Sequence, residues 1–186
     1  MHPHCSSPLT PQRGAVLLVS LMILLIMTVI GIAAMSTTTM EEKMAANSQQ
    51  RQQAFQAAET ALRDAETWLT ANITRVTDLS QFDGDGGLYA SRPIAIGAAL
   101  AEPAFDIFSD SAWASNGVPS ETLLSGQDTP RYIIEYVGDF GSDRPLLDPT
   151  QGVQVARYAF RITAIGWSVD GTARYLLRSH YARRLN

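Results

Sequence analysis

The sequence predicts an α+β fold, in which a long N-terminal helix packs on a C-terminal antiparallel sheet. One observation behind this is an apolar stretch near the N-terminus that carries no charge. A second is the run of helix-favouring residues behind it, with apolar positions every three or four residues. A third is the alternation of apolar and polar residues in the last third of the chain, which is typical of strands.

Residues 1–14 form a short polar segment that contains three prolines and ends in Arg13 and Gly14. A secretory signal peptide carries its small-residue cleavage site after the apolar core. Here the small residue Gly14 comes before the apolar stretch, so a cut at this point would leave the helix attached to the mature chain. Cys5 also lies in this segment. Because it is the single cysteine of the sequence, an intramolecular disulfide is excluded.

Residues 15–37 are predicted to be the membrane-spanning half of the helix. Only Ser20 and Thr28 carry polar side chains between residues 15 and 34. Twenty residues of helix extend roughly 30 Å, which matches the hydrocarbon thickness of a bilayer. Arg13 before the span and acidic residues beyond it place the N-terminus in the cytoplasm and the bulk of the chain outside.

Residues 38–77 are predicted to continue the helix to about residue 76 as an amphipathic half. No proline interrupts this segment, and alanine, glutamine and glutamate favour helix. A helix of this length needs a surface on which to bury its apolar stripe, and the C-terminal half of the chain can supply it. The predicted stripe consists of Phe55, Ala58, Leu62, Ala65, Leu69, Ile73 and Val76.

Residues 78–129 are predicted to be a loop-rich insert, because glycine, proline and serine are frequent there. Trp113 is the expected anchor of the insert. Asp83 and Asp85 are separated by one residue within a glycine-rich stretch, as in part of a calcium loop, but the remaining ligand positions of an EF-hand are missing. A tight glycine turn is the preferred interpretation, and a calcium site at these two residues is the weaker alternative. We expect no other metal and no cofactor.

Residues 130–186 are predicted to form the antiparallel sheet. One strand near 131–137 is bounded by Pro130 and Gly138, and two further strands should pair as a hairpin around a turn at Asp170 and Gly171. The arginines of these strands are expected on the solvated face, with a partner surface as the alternative. Together with the helix this gives a meander packed on a helix.

Several segments resemble the minor pilins of the PilX family, within the type IV prepilin class. The first is the basic residue, glycine and apolar run that begin at Arg13. The resemblance continues in residues 35–47, 51–59, 130–138 and 158–164, whereas residues 78–129 match only loosely. It implies a type IV pilin-like fold. It also implies that a prepilin peptidase cuts between Gly14 and Ala15 and that the new amine of Ala15 is methylated.

One position departs from the pattern of the family. Most pilins carry a glutamate five residues after the cleavage site, where it is thought to pair with the amine of a neighbouring subunit. This chain carries Val19 there. Since a buried carboxylate without a partner is costly, a valine suits a subunit that lacks one neighbour, at a tip or in an initiating complex. The alternative is that Val19 is simply tolerated at low copy number.

The resemblance implies a non-catalytic minor pilin that helps to initiate a type IV pilus and is incorporated in or near its tip. It also implies partners: other minor pilins, the major pilin, the assembly platform, a large tip adhesin and the inner membrane. A type II secretion pseudopilin and a single-span anchored periplasmic binding domain are the alternatives. The sequence contains no arrangement of residues recognisable as catalytic, and its net charge of −4 argues against nucleic acid as a direct partner.

Overall fold

A computed structural model describes residues 13–94, 99–122, 126–140 and 157–185. The predicted leader therefore lies outside the described residues except for Arg13 and Gly14. Chain contacts divide the protein into two compact units, Met1–Ala46 and Asn47–Asn186. The first helix, α1 (Arg13–Asn72), contributes residues to both units.

In the first unit, every described residue from Gly14 to Ala46 is helical, and every side chain whose burial is described is exposed. The apolar residues from Val16 to Met35 make no core of their own. An apolar helix with no buried face is typical of a segment whose surroundings are lipid or other helices.

In the second unit, α1 buries a face made mainly of alanine. The predicted stripe is confirmed at Ala58, Ala65, Leu69 and Ile73, but Phe55 is 38% exposed and lies at the edge of the core against Tyr175. The residues that complete the buried face are Ala54, Ala57 and Ala61. Because these side chains are small, the helix backbone can approach the sheet closely.

Helix α1 ends at Asn72, short of the predicted residue 76, and a 3₁₀ helix follows at Val76–Gln81. The carboxylate of Asp78 accepts hydrogen bonds from the backbone N–H groups of Thr74 and Arg75 at 2.9 and 2.8 Å. Those bonds, and a third from the Thr74 hydroxyl, hold the pKa of Asp78 below its usual value. A side chain that captures backbone donors in this way competes with continuation of the α-helix.

The predicted meander is confirmed. Three long strands follow in sequence: β3 (Arg131–Phe140), β4 (Arg157–Trp167) and β5 (Arg174–Arg184). β3 pairs with β4 and β4 pairs with β5, both antiparallel. The turn between β4 and β5 contains Asp170 and Gly171 as predicted, with Gly171 at a φ of 69°.

The insert adds short elements that the sequence did not predict. They are β1 (Leu88–Ala90), α2 (Asp110–Asn116) and β2 (Val118–Pro119). β1 pairs with β3 in parallel and β2 pairs with β3 antiparallel. The sheet is therefore mixed where β1 and β2 join β3, whereas the meander of β3, β4 and β5 is antiparallel.

The strands β3 and β4 are buried on both faces over most of their length. The inner face of the sheet packs against α1 through Ile134, Phe160 and Ile162. Its outer face carries Ile133, Ile165 and Trp167, which pack against the insert. Trp113 is fully buried there and donates its indole N–H to the carbonyl of Ile107 at 2.8 Å, so it anchors the insert as expected.

Candidate functional site

The predicted processing positions lie at the start of α1. Gly14 and Ala15 are both helical and exposed. A Cβ atom built on Gly14 would meet no heavy atom within 4 Å, and the same is true of Gly31 in the middle of the span. Packing within the described chain therefore does not explain a glycine at position 14.

Val19 lies one turn along the helix from Ala15. Its side chain is 53% exposed and shares a helix face with Ala15 and Ile23, which are four residues away on either side. This apolar face has no partner among the described residues of the first unit, so a carboxylate at position 19 would meet no opposite charge there.

The two polar side chains of the span satisfy their hydrogen bonds within the helix. The hydroxyl of Ser20 donates to the carbonyl of Leu17 at 2.9 Å. The hydroxyl of Thr28 lies within hydrogen-bond distance of the carbonyls of Leu24 and Leu25, at 2.6 and 2.9 Å. Since hydroxyl groups bound to their own helix need no water, both residues are compatible with a lipid environment. Among the described residues, one helix is long and apolar enough to cross a membrane.

The outer face of the sheet contains an ion pair between a buried carboxylate and a half-buried guanidinium. The guanidinium of Arg161 on β4 donates to both carboxylate oxygens of Glu135 on β3, at 2.6 and 2.8 Å. The hydroxyl of Ser91 donates to the same carboxylate at 3.1 Å. Glu135 is 2% exposed, and the hydrogen bond that it accepts raises the pKa of Arg161 further above its usual value. The expectation that the strand arginines lie on a solvated face is thus wrong for Arg161.

A second polar cluster fastens the insert to α1. The carboxylate of Asp64 accepts hydrogen bonds from the hydroxyl of Ser120 and from the backbone N–H and hydroxyl of Thr122. Burial alone would raise the pKa of Asp64, but these hydrogen bonds outweigh it and lower the pKa below its usual value. The cluster holds a loop in place and has no free donor or acceptor arrangement that suggests catalysis.

The structure brings Asp83 and Asp85 into a glycine turn. The Asp83 carboxylate accepts a hydrogen bond from the backbone N–H of Asp85 at 3.1 Å, and Gly84 and Gly86 both have positive φ angles. This geometry supports the preferred interpretation of the sequence. In the described part of the chain, no three acidic, histidine or cysteine side chains come together as candidate metal ligands. His180 lies exposed on β5.

Helix and sheet together form an α+β fold, and the N-terminal part of its long helix is apolar enough to cross a membrane. The family described as PilX N-terminal matches residues 13–63, which include the span and most of the amphipathic half of α1. This match is consistent with a type IV pilus minor pilin of the PilX family, and pilins are structural subunits that act with other pilus components. No curated protein and no solved structure matches the chain.

Proposed function

We propose that this protein is a non-catalytic minor pilin that helps to initiate assembly of a type IV pilus and is incorporated in or near the tip. The observation that carries the proposal is the apolar part of α1, which has no partner among the described residues and lies in the segment 13–63 that matches the PilX N-terminal family. The same helix continues into an α+β domain. The helix acts by packing against the apolar helices of other pilins.

In the proposed pathway, the chain inserts into the inner membrane with its N-terminus in the cytoplasm and its C-terminal domain in the periplasm. A prepilin peptidase then cuts between Gly14 and Ala15, and the amine of Ala15 is methylated. A flexible residue without a side chain supports this assignment, because it lets a membrane peptidase approach the backbone closely. Among the described residues nothing packs against a side-chain position at Gly14, which agrees with a role outside the fold.

The proposed partners are other minor pilins, the major pilin, the assembly platform and a large tip adhesin. Val19 supports a place at the tip or in an initiating complex, because an apolar residue there does not require an amine from a neighbouring subunit. In that position the subunit would contribute to attachment and twitching motility through the fibre as a whole.

The test is the intact mass and N-terminal residue of the protein from its own membranes, with and without prepilin peptidase. With the peptidase present we expect a mature chain that starts at methylated Ala15. Without the peptidase we expect this mature form to be absent and the uncut precursor to remain. An uncut chain in both strains would contradict the proposal and leave an anchored periplasmic binding domain. Normal pili together with failed type II secretion in a deletion strain would instead identify a pseudopilin.

A further inference from the structure

The outer edge of β5 is open along a strand of 11 residues. Within the described ranges, only β4 pairs with β5, and it does so from Arg174 to Arg184. A strand that pairs on one side presents unpaired backbone N–H and C=O groups on the other. Such an edge can accept one further strand, with main-chain hydrogen bonds for affinity and side chains for specificity.

The two faces of β5 differ in chemistry. The inner face, towards α1, carries Tyr175, Leu177 and Tyr181, and Tyr175 remains 41% exposed. The outer face carries Arg178, His180 and Arg184, all exposed. The strand contains no acidic residue. Because the side chains of an added strand alternate between the same two faces, a strand that fits here alternates apolar and acidic residues.

The outer face also contains cations that the described chain does not neutralise. Arg157 on β4 lies directly opposite Arg184 on β5, and both are exposed. Like charges directly opposite on neighbouring strands repel. Other arginines have partners: Arg174 contacts Asp110 at 2.7 Å, and Arg183 donates to the carbonyl of Leu69 at 2.9 Å. The side chains of Arg157 and Arg184 have no hydrogen bond or ion pair in the described ranges.

The charges also select the occupant of the edge. A second copy that added its own β5 would place arginines beside arginines, which disfavours self-association at this edge. An extended nucleic acid would meet the cations but would not supply alternating backbone donors and acceptors along the edge. A protein strand with glutamate or aspartate at every second position satisfies both the backbone and the arginines.

We propose that the β5 edge is a docking site for a strand of a partner protein in which apolar and acidic residues alternate. The acidic side chains then lie beside Arg178 and Arg184, with Arg157 one strand further in on β4, and the apolar ones extend the surface of Tyr175 and Tyr181. This inference goes beyond the proposed pilus function and does not depend on cleavage after Gly14.

The test uses the full chain in neutral detergent and labelled 11-residue peptides. In the first peptide valine alternates with glutamate, and in two control peptides glutamine or lysine replaces the glutamate. Fluorescence anisotropy measures affinity, and amide hydrogen exchange locates the bound peptide. We expect the glutamate peptide to bind about tenfold more tightly than the glutamine peptide, as several surface ion pairs predict, and to protect amides of β5.

The matched variant replaces Arg157→Glu and Arg184→Glu together. Both residues are exposed and unpaired in the described chain, so the melting temperature should be nearly unchanged and the preference should shift to the lysine peptide. Equal binding of the glutamate and glutamine peptides, or protection outside β5, would overturn the proposal. So would β5 amides fully protected without peptide, dimers joined through β5, or binding of a DNA oligonucleotide but of no peptide.

Discussion

Gly166 of β4 lies against the backbone of α1 at Ala54. A Cβ atom built on Gly166 would stand 2.6 Å from the carbonyl oxygen of Ala54 and closer still to the backbone nitrogen of Ala58. Real Cβ atoms do not approach other atoms so closely, so helix and strand are in direct backbone contact here. A glycine on the strand and alanines on the helix together make this contact possible.

The change Gly166→Ala should therefore force α1 away from the sheet. We expect a loss of about 3 kcal/mol in the free energy of unfolding, at the upper end of overpacking substitutions because the obstacle is backbone. Thermal or denaturant unfolding of the chain in detergent, followed by the CD signal of the sheet, measures this. Ala182→Ser, on the exposed face of β5, is the control and should change the free energy by less than about 0.5 kcal/mol. Equal free energies of unfolding for the two variants would contradict a direct backbone contact between Gly166 and α1.

Processing can be separated from helix packing with two glycines. Gly14→Leu and Gly31→Leu both add a side chain where the described chain offers open space. We expect the first to block cleavage and leave the precursor uncut, whereas the second should be processed normally. Mass spectrometry of membrane extracts distinguishes the two species. A cut precursor in the Gly14→Leu strain would show that the glycine is not part of the processing signal.

The change Val19→Glu tests the proposed place in the fibre. At a tip or in an initiating complex, where one neighbour is missing, the new carboxylate would be buried without an amine partner. We expect fewer fibres per cell by electron microscopy, at unchanged protein level. Val19→Leu keeps the site apolar and should preserve the fibre number. An unchanged fibre number with Val19→Glu would contradict the proposal that Val19 marks a place at the tip or in an initiating complex.

The Asp64 cluster makes the second unit sensitive to acid. Because hydrogen bonds lower the pKa of Asp64 in the folded state, its stabilisation is present above the unfolded pKa of about 3.9 and is lost as pH falls through the folded value. Asp64→Asn should destabilise the domain by about 1–2 kcal/mol at pH 7. The difference from the parent should shrink below about pH 4. Unfolding curves at several pH values measure it, and a difference that is constant with pH would exclude this role for Asp64.

The sequence predicted the main elements because each has a strong local signal. The apolar span, the β3 to β5 meander and the turn at Asp170 and Gly171 all follow from periodicity and turn chemistry. The anchoring role of Trp113 follows from its size, since a large aromatic side chain in a polar insert is rarely left in water. These predictions needed no knowledge of which segments meet in space.

Features that depend on tertiary contact were missed. Ala54, Ala57 and Ala61 did not stand out as core residues, because alanine favours helix in any environment. β1 has three residues and no alternation long enough to detect. The ion pair of Glu135 was not predicted either. Its partner Arg161 lies opposite only in the observed register, and the one available signal was an acid and a base on neighbouring predicted strands.

The contact between Arg183 and Leu69 has a consequence for the order in which the domain folds. Arg183 caps the end of α1 from a position 114 residues further along the chain. During synthesis α1 emerges first, but the strand that binds its last carbonyls emerges much later. Closing so long a loop is slow compared with forming a local helix. We therefore expect the end of α1 to gain this contact only after β5 has joined the sheet, although α1 is the first element to be made.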